Sequence, residues 1–586
     1  MTSQPTTTEP ATDAAPPARS GRRTDLGVCL GYLALAGWLT YGLWLDPAGH
    51  VLALNWQDQT LNEWFLAHGL LPWQGDGMLV TDRLNAPDGV NLMANASLLL
   101  YGLLLAPVTA LFGAPVSFAL LVTLALGGTA IGWYLLLSRR SGVGPLAAAV
   151  GGGFCGFAPG MVSQANGHPH IAAQFGVPLL IFLVLRLLDG ARPVRDGALL
   201  AGVVCLQLFG GEEVLFLTAV SCALFVGWYA VLDRPEAARR LPRALLGLAT
   251  TTGVAVLVLA YPLWVQFAGP GSVPNGVFSG AFFSADVMSF VTYPGLSLAG
   301  DMATASRVTT GASEHNAFYG WPLLLVVVAG CAWLWRRTEV KALALTGLVL
   351  ALLALGPEIT VAGEPTGVPG PWALIGHLPV VDSALPMRYT LPLIPIFGIL
   401  LALGVDRARS LPGRGQVAVA IALGVALLPL FPTPMPVRDR APVPEFITSG
   451  QWRTCVRPGG TLVPVPLPSS PEPTAMGWAA AAGDEFALPQ GFFIGPYAAG
   501  GEASVGTYSQ PTAALLDQVV VSGTVPTVGP AERHQAAADL EFWRADCVVI
   551  ADDTPQADAL RTTVAELLER PGRHVGGVWM WDVTPR

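Results

Sequence analysis

Long apolar runs separated by short polar turns occupy most of the chain, and they stop near residue 432. Most of them approach the roughly 20 residues that a helix needs to cross the hydrocarbon core of a bilayer. A backbone exposed to lipid must form its own hydrogen bonds, so each run is predicted to be helical. The runs lie at 26–45, 96–113, 116–138, 144–162, 171–188, 197–210, 214–232, 243–265, 319–335, 341–356, 389–405 and 415–431.

Arginine positions orient these runs, because short cytoplasmic loops concentrate Lys and Arg. If every run crossed, Arg139, Arg140 and all later basic clusters would face the side opposite the N-terminal arginines. Treating 96–113, which contains Pro107, as a helix on the outer surface brings the clusters to one side and leaves eleven spans. The N-terminus is then predicted to be cytoplasmic. The predicted outer elements are residues 46–115, residues 266–318 and everything after residue 432.

The two ends of the chain differ from this middle part. Residues 1–25 are rich in Thr, Ala and Pro and carry no apolar run, so they are predicted to be a disordered cytoplasmic tail. Residues 432–586 have apolar stretches of strand length between helical patterns, which indicates an extracytoplasmic α/β domain. Its Cys455 and Cys547 precede or open predicted strands, and they can pair in an oxidising compartment if those strands are neighbours; two free thiols are the alternative.

Composition supports this division of the chain. Charged residues make up 12% of the chain and hydrophobic residues 52%, with a mean hydropathy of +0.53. This combination excludes a disordered chain and a nucleic-acid binder. The sequence therefore predicts a polytopic α-helical membrane protein of about eleven spans, with a membrane domain at 26–431 and an α/β domain after it.

Candidate chemistry lies in the predicted outer loops. Asp58 stands in NWQDQTLNEWFLAHGL, where apolar residues recur at helical spacing, so it either caps a helix or acts at its start. His168 and His170 flank a proline in SQANGHPH. Three interpretations stay open for the two histidines: polar contact to a substrate, part of a metal site, or plain loop chemistry.

Further acidic residues lie where loops leave the membrane. Glu212 and Glu213 form an adjacent pair in the apolar setting LFGGEEVLF, which is costly unless they are paired or hydrated. Glu314 directly precedes a predicted span, and Asp286 lies earlier in the same loop. Carboxylates gathered at such a boundary repel one another, so at least one is predicted to have a raised pKa.

Arg388 is a cation on the predicted outer side, in LPMRYTLPL. A guanidinium in this place is suited to hold a phosphate with two parallel hydrogen bonds. Its alternatives are contact with lipid head groups and an ion pair with Asp382.

Taken in order along residues 26–431, the motifs resemble those of the GT-C superfamily of membrane glycosyltransferases, and within it the bacterial membrane proteins of the YfhO type. The motifs are QDQTLNEW, APDGVNLMANAS, GFAPGMVSQANGHPH, QLFGGEEVL, FFSADVMSFVTYPG, EHNAFYGWPLL and LPVVDSALPMRYTLPL.

The resemblance implies an inverting enzyme of the cell membrane that moves a sugar from a polyprenyl-phosphate donor to a glycan, lipid or protein of the cell envelope. A carboxylate of the first outer loop serves as general base in that superfamily, and Asp58 is the matching position. The paired acids frequent in that loop are absent, because Gln57 and Gln59 flank Asp58.

Two other functions remain open at this point. One is a transporter or lipid flippase, and the other is a non-catalytic envelope protein that binds glycan through Trp478, Trp543, Trp579 and Trp581. No cofactor is predicted with certainty, although a divalent cation between Asp58 and Glu314 is an alternative way to relieve their repulsion.

Overall fold

The computed structural model describes residues 21–96, 98–498 and 500–584. Most of the predicted tail lies outside these residues. The first helix begins at Arg22, four residues earlier than predicted, and Asp25 in its first turn accepts hydrogen bonds from Tyr134 and Arg139. These contacts explain why the polar residues before the apolar run are helical.

Helices dominate the described residues up to 431. Those of ten or more residues are Arg22–Leu39, Trp56–His68, Leu99–Phe112, Ala114–Arg140, Pro145–Phe157, Val177–Asp189, Pro193–Leu232, Arg234–Ala268, Trp321–Trp333, Thr338–Ala354, Leu393–Ala408 and Gly413–Leu427.

Five of the described helices are long and apolar enough to cross a membrane, or six if the bent pair at 145–165 counts as one span. The 96–113 run forms a helix of 14 residues, Leu99–Phe112. The chain is a membrane protein on this evidence, and the count of eleven spans stays a prediction.

Two breaks in the membrane region shape the site. Helices Pro145–Phe157 and Pro159–Ala165 meet at a 40° bend, because Pro159 lacks the N–H that would continue the helical ladder. Pro193–Leu232 is interrupted at Gly211, where the backbone leaves helical dihedrals. A Cβ at Gly211 would lie 2.5 Å from the carbonyl oxygen of His170, so a side chain is excluded there.

The second part of Pro193–Leu232 runs antiparallel to the next helix, Arg234–Ala268. Glu212 accepts a hydrogen bond from Gln266, near the end of that helix. Leu232 lies at the other end, separated from the first helical residue, Arg234, only by the N-cap residue Asp233. Residues 212–232 therefore run from the end of helix Arg234–Ala268 back to its start. Gly211 separates the two predicted runs, and Glu212 and Glu213 lie at the resulting turn.

The C-terminal residues contain the predicted strands and helices. Strands Thr461–Pro464, Ala545–Ala551, Arg573–Val575 and Val578–Asp582 form one mixed sheet. The last two strands form a hairpin rather than the single predicted strand, because Gly576 and Gly577 adopt positive φ angles of 55° and 80°. Helices Pro511–Ser522, Pro530–Phe542 and Ala557–Leu567 share an apolar core with the sheet.

A disulfide joins Cys455 to Cys547, so of the two alternatives left open by the sequence the structure has the pairing. Of the four tryptophans considered for glycan binding, three are buried in the core: Trp478, Trp543 and Trp581.

The C-terminal segment is attached directly to the residues that precede helix Trp56–His68. Strand Val437–Asp439 pairs antiparallel with His50–Leu52, just before the helix Trp56–His68. Helix Thr474–Ala481 packs against the same helix. The helix that carries Asp58 is therefore enclosed by both the membrane region and the chain after residue 432.

Candidate functional site

Six of the seven predicted site residues lie in one connected cluster, built by loops and helix ends that are far apart in sequence. They are Asp58, His168, His170, Glu213, Glu314 and Arg388.

Asp58 is the third residue of helix Trp56–His68 and does not cap it, because the N-cap position is Asn55. Two amides fix the helix against the loop that carries His168. Asn55 donates to the carbonyl of Asn166 at 2.6 Å, and Asn62 donates to the carbonyl of Gly167 at 2.8 Å. The Asp58 carboxylate is thereby held in contact with this loop.

The loop approaches Asp58 closely only because residue 167 is glycine. Gly167 has a φ of +144°, and a Cβ there would lie 3.0 Å from the amide nitrogen of Asn55 and 3.2 Å from a carboxylate oxygen of Asp58. A larger residue would push the loop away from the carboxylate.

The pKa of Asp58 is raised from 3.8 to about 7. Burial is the main cause, the like charge of Glu314 adds to it, and Arg388 opposes it. The side chain still keeps 25% of its surface exposed, so it remains accessible to a reactant. A carboxylate of this kind takes up a proton readily near neutral pH.

His168 connects Asp58 to the ion pairs behind it. Its Nε2 atom lies 3.7 Å from Oδ2 of Asp58, and its Nδ1 atom lies 2.8 Å from Oε1 of Gln164. The Gln164 amide nitrogen donates to Glu314 at 3.1 Å and to Asn316 at 2.8 Å, so its oxygen faces His168. Nδ1 of His168 must then donate, which leaves the lone pair of Nε2 directed at Asp58.

Burial and the charge of Arg388 lower the pKa of His168 to about 3. The imidazole is therefore neutral at physiological pH and forms no ion pair with Asp58.

Arg388 is held between two carboxylates. Its Nη2 donates to Glu314 at 2.5 Å, its Nε donates to the same carboxylate at 3.2 Å, and its Nη1 donates to Glu213 at 2.6 Å. Asp382, the partner considered from the sequence, accepts a hydrogen bond from Ser383. The three charged side chains are mostly buried, with 12%, 4% and 19% exposed for Arg388, Glu314 and Glu213.

His170 lies at the edge of the cluster, and Asp286 is the one predicted site residue outside it. The ring of His170 lies 5.8 Å from that of His168, and its Nδ1 is buried without a partner among the described residues. The carboxylate of Asp286 instead accepts hydrogen bonds from the backbone amides of Met288, Ala362 and Gly363. Asp286 thus joins its own loop to the turn at 362–363, and its hydrogen bonds do not lead to the cluster.

An apolar groove of about 230 Å³ runs along the membrane helices below the cluster. Val214 and Leu391 line it one and three residues after Glu213 and Arg388, and Leu343 and Phe225 line it further along. The groove therefore begins beside the ion pairs and continues between helices that are apolar on this side.

No group of three or more His, Cys, Asp or Glu side chains among the residues that the structure describes has the arrangement to hold a metal ion.

Sequence reasoning missed the amides that connect the cluster. Gln164, Asn166 and Asn316 are fully buried, and both polar atoms of the Asn166 side chain have no partner among the described residues. Gln164 lies in helix Pro159–Ala165 and His168 follows the end of that helix, so helical spacing does not predict their contact.

Comparison with solved structures shows which proteins have a similar fold. The arabinofuranosyltransferase AftD from Mycobacteria matches with a TM-score of 0.53 and 16% identity, over 97% of this chain and 40% of AftD. A mutant form of AftD matches with a TM-score of 0.56 and 13% identity, over 97% and 42%. The chain therefore shares its fold with part of AftD, and it spans about two fifths of the length of AftD.

Residues 29–428 match the family described as "Domain of unknown function (DUF6311)", and the chain belongs to this family. No curated protein matches the chain. The closer resemblance to YfhO-type proteins stays a prediction.

Proposed function

We propose that this protein transfers a sugar, with inversion, from a polyprenyl-phosphate donor to an acceptor of the cell envelope at the outer face of the cytoplasmic membrane. The observation that carries the proposal is the position of Asp58, a half-buried carboxylate whose pKa is about 7, beside an ion-pair cluster at one end of an apolar groove. A fold shared with a glycosyltransferase supports it.

The donor would bind with its lipid chain in the groove and its phosphate near Arg388. The guanidinium has five N–H donors, and its contacts with Glu213 and Glu314 use three of them, one on each nitrogen. The carboxylates hold its plane fixed, and the two remaining N–H groups are available to the phosphate. As negative charge accumulates on the departing phosphate, these contacts strengthen.

The charge balance of this cluster bears on donor binding. Glu213, Glu314 and Arg388 together carry one net negative charge when both acids are ionised, which disfavours a phosphate. A proton on one carboxyl, or a divalent cation accompanying the donor, would offset it.

Asp58 would act as the general base. An acceptor hydroxyl bound beside it loses its proton to a carboxylate oxygen while the hydroxyl oxygen forms a bond to the anomeric carbon. The bond from this carbon to the phosphate oxygen breaks at the same time, and polyprenyl phosphate leaves with the electron pair. Attack from the side opposite the leaving group inverts the anomeric centre.

Buried polar atoms without partners would bind the sugar hydroxyls. In the described part of the chain they include Oε1 of Glu213, Nδ1 of His170 and the side-chain amide of Asn166. A buried polar atom costs free energy unless it is hydrogen bonded, so a ligand that supplies the partner gains affinity.

The test is turnover of a polyprenyl-phosphate sugar by purified Asp58→Asn and Asp58→Ala proteins. Both are expected to lose on the order of 100-fold in turnover while they keep donor affinity, because the residue acts on the acceptor hydroxyl. Asp82→Asn is a matched control, since Asp82 is an exposed acid of the same loop. Retained turnover in both Asp58 variants would remove the catalytic assignment.

A further inference from the structure

The face of helix Trp56–His68 next to Asp58 is polar and yet buried. Gln59 and Glu63 are each 1% exposed, and their four-residue spacing places them on one side of the helix. A buried carboxylate and a buried amide both require hydrogen-bond partners. The chain after residue 432 supplies a positively charged partner for the Glu63 carboxylate.

Arg440 forms a paired contact with Glu63. Its Nη1 donates to Oε2 and its Nη2 donates to Oε1, both at 2.6 Å. The side chains are 14% and 2% exposed, so the pair is shielded from water. Arg440 follows strand Val437–Asp439 directly. Its backbone N–H donates to the carbonyl of Gly49, which fixes the position of the Arg440 backbone.

Gln59 completes the connection from the first outer loop to the helix. Its Nε2 donates to Oε1 of Glu63 at 2.7 Å, and its Oε1 accepts from the backbone N–H of Leu52 at 2.7 Å. Leu52 is paired with Val437 in the same small sheet. A series of hydrogen bonds therefore runs from Leu52 in one strand, through Gln59 and Glu63, to Arg440 at the end of the other strand.

A second contact from this strand reaches the start of the helix. The Arg438 guanidinium lies 4.6 Å from the ring centroid of Trp56, which is two residues before Asp58. The sheet thus contacts both the first turn and the middle of the helix.

We infer that Arg440 and Glu63 are positioning residues for Asp58, and that the segment after residue 432 takes part in the reaction by fixing the rotation of this helix. The inference rests on the proposed function. Asp58 and Asn62 contact the loop at 166–168, whereas Gln59 and Glu63 contact the sheet. A helix held on two adjacent faces resists rotation about its axis.

The size of the effect follows from helix geometry. A side-chain tip about 5.5 Å from the axis moves by about 2 Å when the helix rotates by about 20°. Misplacement of a catalytic group by about 1 Å can lower the rate by about 100-fold. Loss of the Arg440 contact is therefore expected to reduce turnover although Arg440 itself never touches a substrate.

The experiment compares Arg440→Gln, Arg440→Lys and the double variant Glu63→Gln with Arg440→Gln, using transfer from a polyprenyl-phosphate sugar in detergent. The expected result for Arg440→Gln is at least a 10-fold lower kcat with the donor KM changed by less than about twofold, since the helix acts on the acceptor side. Lys keeps the charge but not the paired geometry, so it should restore kcat partly. Arg453→Gln is the matched control, because Arg453 forms an exposed ion pair with Glu485 in the same segment.

A second measurement is independent of activity: hydrogen–deuterium exchange of the peptide covering residues 54–66. Exchange should be faster in Arg440→Gln and in the double variant than in wild type and Arg453→Gln. The double variant leaves no unpaired buried charge, so it keeps the test interpretable if Arg440→Gln alone does not fold.

The two measurements separate the possible failures. If the wild type transfers no sugar and exchange is still faster in Arg440→Gln, the proposed function is refuted, whereas the role of Arg440 in holding the helix is supported. Unchanged kcat together with unchanged exchange in Arg440→Gln would overturn the inference. An equal fall in kcat for Arg440→Gln and Arg453→Gln would also overturn it, because the effect would then not be specific to the helix contact.

Discussion

The pH dependence of turnover is the sharpest consequence of the Asp58 environment. A rise of its pKa from 3.8 to about 7 is about 3 units. At about 1.4 kcal/mol per unit, this corresponds to a bias on the order of 4 kcal/mol against the charged form. Because the base is active only when deprotonated, kcat is expected to fall about tenfold for each pH unit below 7 and to be constant above it.

Because neighbouring charges affect the pKa of Asp58, removing one of them should change this pKa in a direction that can be measured. The negative charge of Glu314 raises the pKa of Asp58, and the positive charge of Arg388 lowers it. Glu314→Gln removes the like charge and leaves Arg388 with fewer partners, and both effects lower the pKa of Asp58. The acid limb of the profile should therefore move to lower pH in this variant.

The assay is the single-turnover rate with saturating donor and acceptor between pH 5 and pH 9, for wild type, Glu314→Gln and the exposed-acid control Asp82→Asn. The control should follow the wild-type profile. A wild-type rate that does not change between pH 5.5 and pH 8 would refute the reasoning, and so would an acid limb in Glu314→Gln that moves to higher pH.

Three further predictions concern the ion cluster, the disulfide and the sidedness of the chain. Arg388→Ala should lose about 2–4 kcal/mol of transition-state stabilisation, measured as kcat/KM, with only partial recovery in Arg388→Lys; full activity would limit the residue to anchoring lipid head groups. Replacing Cys455 and Cys547 by serine opens a loop with a separation of 92 residues and should lower the free energy of unfolding by about 4 kcal/mol, measured by denaturant titration with and without reductant; equal stabilities would contradict it. Tyr497→Cys, at an exposed site, should react with a membrane-impermeant maleimide in intact cells, whereas Arg414→Cys should react only after lysis; the reverse pattern would invert the predicted topology.

Much of the fold is accessible from the sequence because lipid and water impose simple patterns. Apolar runs locate helices with little ambiguity, and apolar stretches of strand length in the last residues locate the strands. The misplaced boundaries have local causes. Helix Arg22–Leu39 starts early because Asp25 contacts Tyr134 and Arg139, and the last predicted strand divides because two adjacent glycines permit a tight turn.

The candidate site is less accessible because its contacts join residues far apart in the chain. Glu213, Glu314 and Arg388 can each be recognised in the sequence as a charged residue in apolar surroundings. The partners of Arg388 cannot be recognised in this way, since Glu213 and Glu314 are 175 and 74 residues away and Asp382 is a nearer candidate. The role of Glu63 is equally hidden, because the polar face of an amphipathic helix is expected to meet water until the residues after 432 are placed over it.

The identity of the lipid that the protein holds before and after reaction tests the central claim most directly. Purified wild type and Asp58→Asn would each be loaded with a polyprenyl-phosphate sugar, supplied with an envelope acceptor fraction, and examined by mass spectrometry of the bound lipid. Wild type is expected to convert the bound lipid to polyprenyl phosphate and to transfer its sugar to the acceptor, whereas Asp58→Asn is expected to retain the intact donor. Equal conversion by both proteins, or failure of the folded wild type to bind the lipid at all, would contradict it.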